Sequence, residues 1–141
     1  MIQINAPIDY VAAYASNPDN APYWYKNIKS VEWKTPRHLD VGSQITFVAQ
    51  FLGRRLTYTY EIVEFIAGHR LVMRTSEGPF PMETSYVWKS EAPDKTCMVL
   101  RNRGTPTGFS KFLVPFMGIA IRRANEKDLA LLKKLLEETS A

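Results

Sequence analysis

Residues 108–138, GFSKFLVPFMGIAIRRANEKDLALLKKLLEE, decide the fold of this chain. Phe109, Phe112, Leu113, Phe116, Met117, Ala120, Ile121, Ala124, Leu131, Leu132, Leu135 and Leu136 recur at threes and fours, the spacing of one buried helical stripe. At ~1.5 Å per residue such a helix runs roughly 40 Å, too long to cap a strand end, so it must lie along whatever it covers. Pro115 lacks an amide proton and clashes one turn back, so the helix either begins near Val114 or bends there.

What it covers is written upstream. Ile2 and Ile4 alternate with polar neighbours as a short strand ended by Pro7, and Asp9 is placed to cap a helix carrying Tyr10, Val11, Ala13 and Tyr14. Asn17-Pro18-Asp19 stops that helix, and a second short one follows around Ala21–Tyr25. Six zigzag segments come next: 31–34, 43–52, 55–65, 71–76, 82–89 and 96–103. The breaks between them are turn chemistry, namely Asp40-Val41-Gly42, Gly53, Ala67-Gly68-His69, Gly78-Pro79-Phe80-Pro81 and Ala92-Pro93-Asp94-Lys95. Consecutive strands on short turns make an antiparallel meander, so the chain reads as an α+β domain over residues 1–141: about seven strands curved around a long C-terminal helix. Space left between sheet and helix is the natural seat of a ligand.

Composition narrows the function classes. A 45% hydrophobic and 23% charged chain of 141 residues is long enough to bury a core. A lone cysteine, Cys97, forms no internal disulfide, and Met1–Pro7 has neither basic leader nor apolar h-region, so a cytoplasmic setting is expected. The longest apolar run is shorter than the ~20 residues of a membrane span. The net charge of +4 is spread over pairs such as Arg54-Arg55, Arg122-Arg123 and Lys133-Lys134, which read as solvated faces and not as a nucleic-acid surface.

The opening Ile4-Asn5-Ala6-Pro7-Ile8-Asp9-Tyr10-Val11 resembles the "apolar-x-Ala-Pro-x-x-x-Val" start of the START-like (SRPBCC) superfamily, in its polyketide cyclase/dehydrase-type branch. Tyr23-Trp24-Tyr25 after Asn17-Pro18, Val41-Gly42-Ser43, Gly53-Arg54 and the Leu132-Lys133-x-x-Leu136-Glu137 ending extend the likeness along the whole chain. The resemblance implies a helix-grip fold. It also implies one of several roles, since enzymes, lipid carriers, hormone receptors and chaperone activators share that scaffold.

Strand parity names the face toward the helix. It comprises Ile45, Phe47, Ala49 and Phe51; Leu56, Tyr58, Tyr60 and Ile62; Leu71, Met73 and Thr75; Met82, Thr84, Tyr86 and Trp88; and Met98, Leu100 and Asn102. The opposite face carries Gln44, Gln50, Arg55, Glu61, Arg74, Glu83, Lys89, Arg101 and Arg103. From the inner set, Phe47, Phe51, Tyr58, Tyr60, Met73, Thr75, Met82, Thr84, Tyr86, Trp88, Leu100 and Asn102 are expected to line a ligand cavity. Trp24, Phe80, Phe112, Phe116, Met117, Ala120 and Ala124 are expected to close it. Phe109, Phe112 and Phe116 would stand at its entrance beside the Gly78–Pro81 turn, as entrance loops do in related folds.

That lining holds hydroxyls and an amide but no His, Asp or Glu, so no catalytic residue is assigned. His38 and His69 fall in turns, Cys97 has no metal-type spacing, and Gly104-Thr105-Pro106-Thr107-Gly108 lacks the Lys-Ser/Thr ending of a phosphate cradle. Neither metal nor cofactor is expected. Asp128 is the one charge near the stripe, read as a border residue able to pair with an Arg such as Arg101. The expected function is binding of an apolar or aromatic small molecule, lipid-, polyketide- or quinone-like, by a monomer or homodimer. A polyketide cyclase/dehydratase-type enzyme is the first alternative, needing Glu61 or Glu83 turned inward by a bulge. A protein-interaction module using the Phe109–Phe116 segment is the second.

Overall fold

The computed structural model describes residues 1–51, 53–78, 81–104 and 114–140, the side chains of 51, 114–117 and 140 excepted. Chain order is β1 (Ile2–Ile4), α1 (Ile8–Ser16), a single 3-10 turn at Pro18–Asn20, α2 (Ala21–Trp24), β2 (Ile28–Trp33), β3 (Gln44–Phe51), β4 (Arg54–Ile66), β5 (Arg70–Glu77), β6 (Met82–Ala92), β7 (Lys95–Gly104) and α3 (Val114–Ser140). All seven strands form one antiparallel sheet in the order β1-β7-β6-β5-β4-β3-β2. The meander from β2 to β7 is therefore closed at its last strand by the first, and the helical opening α1–α2 crosses from one sheet edge to the other.

Turn chemistry sets the register. Gly42 at φ 94° and Gly68 at φ 78° occupy the left-handed region, which a side chain would strain. At the second of these the His69 amide closes the β4–β5 turn on the Ile66 carbonyl at 2.9 Å. Register shifts between Thr59 and Tyr60 and between Ile62 and Glu64 bend β4, the longest strand, so that the sheet curves.

The core lies in the concave face. Ile45, Ile62, Leu71, Trp88 and Met98 of the sheet and Leu132 and Leu136 of α3 are essentially without solvent exposure, as the alternation anticipates. Helix α3 runs closest to β1, β7 and α2. Its C-terminal half is pinned to β1: Lys133 Nζ donates to the Gln3 carbonyl at 2.8 Å and pairs with Glu137 at 2.7 Å, and Glu137 accepts from the Asn5 amide and side chain at 3.4 Å each. Its N-terminal half has no such ties to β1 among the described residues.

Three local expectations are revised. Asp9 lies inside the first turn of α1 and not at its cap; Pro7 stands there, with its fixed φ leading directly into the helix. Strand β2 begins at Ile28 and not Val31, because a register shift between Ile28 and Ser30 lets the irregular start still pair with β3. The described part of α3 is Val114–Ser140; residues 108–113 of the anticipated helix lie outside the described residues. Leu129, absent from the expected stripe, is buried.

Candidate functional site

A cavity of about 170 Å³ opens where the N-terminal half of α3 stands off the sheet. Its floor is the inner face of β3 to β7: Phe47, Ala49, Leu56, Tyr58, Tyr60, Met73, Met82, Thr84, Tyr86 and Asn102. Its walls are the helical opening, with Ala15, Pro18, Ala21 and Tyr25, and α3, with Ile121, Ala124, Asn125 and Asp128.

The rings form a continuous cluster. Tyr58 stacks on Phe47 at 5.6 Å and meets Tyr60 edge-on at 5.0 Å, and Phe47 meets Tyr60 edge-on at 5.8 Å. Edge and offset contacts of this kind suit the ring quadrupoles and hold each ring in place. Burial pushes the phenols of Tyr25, Tyr58, Tyr60 and Tyr86 above their ordinary range, Tyr60 to about 12. All four are neutral at physiological pH, so they act as hydrogen-bonding groups and not as bases.

Two polar arrays cross this lining. The first is a chain with a direction. Thr84 Oγ1 donates its only proton to Asn102 Oδ1 at 2.7 Å, so at 2.8 Å it must accept from the Tyr60 hydroxyl. Asn102 Nδ2 continues to Asn125 Oδ1 at 2.8 Å, tying β7 to α3. Tyr60 has thus committed its proton and offers the cavity an acceptor oxygen. Thr84→Val removes the acceptor of Tyr60 and the donor to Asn102 at constant shape, and is expected to cost about 1–2 kcal/mol in urea unfolding while Thr84→Ser stays near wild type. An unchanged midpoint for the valine variant would show that the chain adds no stability.

The second array is the hydrogen-bonded pair of the Tyr25 and Tyr86 hydroxyls. One proton lies between them and one remains free to donate. Close by stands Asp128, whose charge contributes to the upward shift of Tyr86. Only 3% of Asp128 is exposed, and one of its oxygens accepts from the Lys26 amide at 3.1 Å. Burial outweighs that hydrogen bond and the Lys26 charge, and raises the carboxyl to about 6.

Asp128 corrects the expectation of a lining without an acid. Arg101 lies exposed on the other face of β7, and among the described residues Asp128 forms no ion pair. The signal was available: positions 121, 124, 128, 132 and 135 share one face at helical spacing, with Asp128 at its centre and not at its border. Glu61 and Glu83, the acids that a bulge was to turn inward, stay on the outer face, where they bond Gln44 at 3.2 Å and Arg74 at 2.7 Å. His38 and His69 are exposed, Cys97 is buried, and no group of three metal-ligating side chains occurs among the described residues.

Of the residues expected at the site, Phe47, Tyr58, Tyr60, Met73, Met82, Thr84, Tyr86, Asn102 and Ala124 reach the cavity. Trp24, Trp88 and Leu100 are buried one layer behind it. Trp24 packs 5.9 Å and Trp88 5.8 Å from the Tyr86 ring, and neither indole N–H has a hydrogen-bond partner among the described residues. Thr75 is half-buried and its hydroxyl is taken by the Met82 backbone, donating at 3.0 Å and accepting at 2.7 Å. Ala120 borders a hollow at the cavity rim. Phe80, Phe112 and the entrance built on Phe109 lie outside the described residues, as do the side chains of Phe51, Phe116 and Met117. The helical opening, from Ala15 to Tyr25, is the part of the wall that strand parity could not supply.

Comparison with known proteins places this architecture. Solved structures with the same fold include a protein of Thermus thermophilus (20% identity, TM-score 0.78, covering 99% of this chain and 96% of that one). Others are the Zhui aromatase/cyclase from Streptomyces sp. R1128 (13%, 0.82, 99% and 92%) and a START superfamily protein from Mycobacterium smegmatis (14%, 0.82, 98% and 94%). At these identities the likeness is one of fold, the helix grip. No curated protein matches the sequence. No helix among the described residues is long and apolar enough to cross a membrane. The family model described as polyketide cyclase / dehydrase and lipid transport matches residues 1–137, and the chain belongs to that family.

Proposed function

We propose that this protein binds an aromatic small molecule of one or two rings in the cavity between sheet and helix. The observation that carries the reading is the lining itself: a closed cluster of neutral aromatic rings interrupted by a few fixed polar groups, the composition of small-ligand sites. Size supports it. Apolar protein cavities of about 150 Å³ accept benzene, and the volume here is similar, with an open side toward the rim. The polar groups ask for a ligand that donates one hydrogen bond, to Tyr60, and accepts one, from the Tyr25–Tyr86 pair.

Native mass spectrometry of the protein purified from cells, followed by release and identification of any small molecule, tests this. A retained aromatic compound at one per chain is the expected result. A protein that emerges empty and also fails to take up simple naphthols in calorimetry would overturn it.

A second reading is favoured by one observation, the Asp128 carboxyl in the lining at about 6. A carboxyl in that range serves as either acid or base near neutrality, which an enolisation in a cyclase- or dehydratase-type reaction needs. The family's description includes such enzymes. Hydrogen–deuterium exchange at the α-carbon of a bound aryl ketone separates the two readings: a carrier leaves that carbon unexchanged, and an enzyme exchanges it and loses the ability in Asp128→Asn.

A further inference from the structure

A hollow of about 240 Å³ adjoins the cavity, with Asn27, Ala124 and Asp128 lining both. The rest of its lining is Ala120 and three cations, Lys26, Arg123 and Lys127. They come from two sides: Lys26 from the connection between α2 and β2, and Arg123 and Lys127 from α3, four residues and about one turn apart. None forms an ion pair with a carboxylate among the described residues, whereas Lys34, Arg37, Arg70, Arg74 and Lys133 all do. Lys29 adds to the excess by donating to the Lys26 carbonyl at 3.3 Å.

This concentration of positive charge is unfavourable in itself. Like charges one turn apart oppose the helix that carries them, and Lys26 approaches them from across the hollow. The only acid of the lining is Asp128, which is turned inward and held by a backbone amide, so it does not bridge the cations at the surface.

We infer that the rim formed by Lys26, Arg123 and Lys127 is a subsite for a carboxylate, so that the ligand of this protein is an amphipathic acid: an aromatic body in the cavity with an acid group at its mouth. The inference rests on the cavity being a ligand site and adds the class of ligand. Contiguity joins the two parts, because Asn27, Ala124 and Asp128 line both cavity and hollow.

Calorimetric titration of the full chain with 2-naphthoate and with 2-naphthol at pH 7.5 tests the inference. The two share a ring system and differ in the charged group. Naphthoate is expected to bind roughly tenfold tighter, the scale of charge-assisted contacts at a solvent-exposed rim. That advantage should disappear in Arg123→Gln/Lys127→Gln and shrink in Lys26→Gln, which sits on a different element, with the affinity for 2-naphthol unchanged in both. Raising salt should weaken naphthoate alone. Equal affinities of the wild-type chain for the two probes would overturn the carboxylate subsite and leave the cavity reading standing. Binding of neither would overturn both.

Discussion

Asp128→Asn is expected to stabilise the protein at pH 7.5 by up to about 3 kcal/mol, the largest effect on stability foreseen for any single polar substitution here. The carboxyl titrates at about 6 in the fold against an ordinary value of 3.8, so folding disfavours its charged form. Below pH 3.8 the group is protonated whether the chain is folded or not, and nothing is lost. As pH rises from there to about 6, the unfolded chain releases the proton and the folded one retains it, and stability falls; above that the deficit is constant. Asparagine keeps an oxygen for the Lys26 amide and carries no charge. The difference between variant and wild type in urea unfolding should therefore be large at pH 7.5 and near zero at pH 3.5. A variant less stable than wild type at pH 7.5 alone would show instead that the charge itself holds the Lys26 segment. A side chain that weakens the fold near neutrality is what a site retained for its chemistry looks like, since stability alone would favour its replacement.

The second large effect concerns binding. Ala124 is half-buried on α3 and lines both the cavity and its rim. Ala124→Trp places an indole in the existing space, and affinity for 2-naphthol is expected to fall by roughly 100-fold, or about 2.7 kcal/mol. Because the ring fills a void and does not displace packed neighbours, folding stability should remain within about 1 kcal/mol of wild type. Retained affinity in a properly folded Trp variant would place the binding site elsewhere.

The floor of the site was legible because a strand has a period of two. Once Phe47, Tyr58, Tyr60, Met73, Thr84, Tyr86 and Asn102 are put on one face, the rings of neighbouring strands must meet, and the register pairs Phe47 with Tyr58 and Thr84 with Asn102 as that face requires. The walls were not. Tyr25 and Tyr86 are 61 positions apart, and no spacing rule brings their hydroxyls together. Asp128 reads from the sequence as a border residue because charges on amphipathic helices usually reach water. Only the docking of α2 against α3, which puts the Lys26 amide over the carboxyl, shows that it does not. The cap of α1 and the start of β2 failed for a related reason: both are decided by pairing and entry geometry that outweigh local propensity.

The placement of the indoles behind the cavity makes the molecule its own optical gauge. Trp24 and Trp88 flank Tyr86, a lining ring, while Trp33, the third tryptophan, donates to Asp19 at 3.0 Å at the half-exposed β2 edge. Emission from the first two arises from a dry, apolar surround and that of the third from a polar one, so the spectrum separates into an inner and an outer component. An aromatic guest in the cavity, if it seats against Tyr86, would stand one ring away from both inner indoles and far from the outer one. Occupancy of the site can thus be followed in the unlabelled protein.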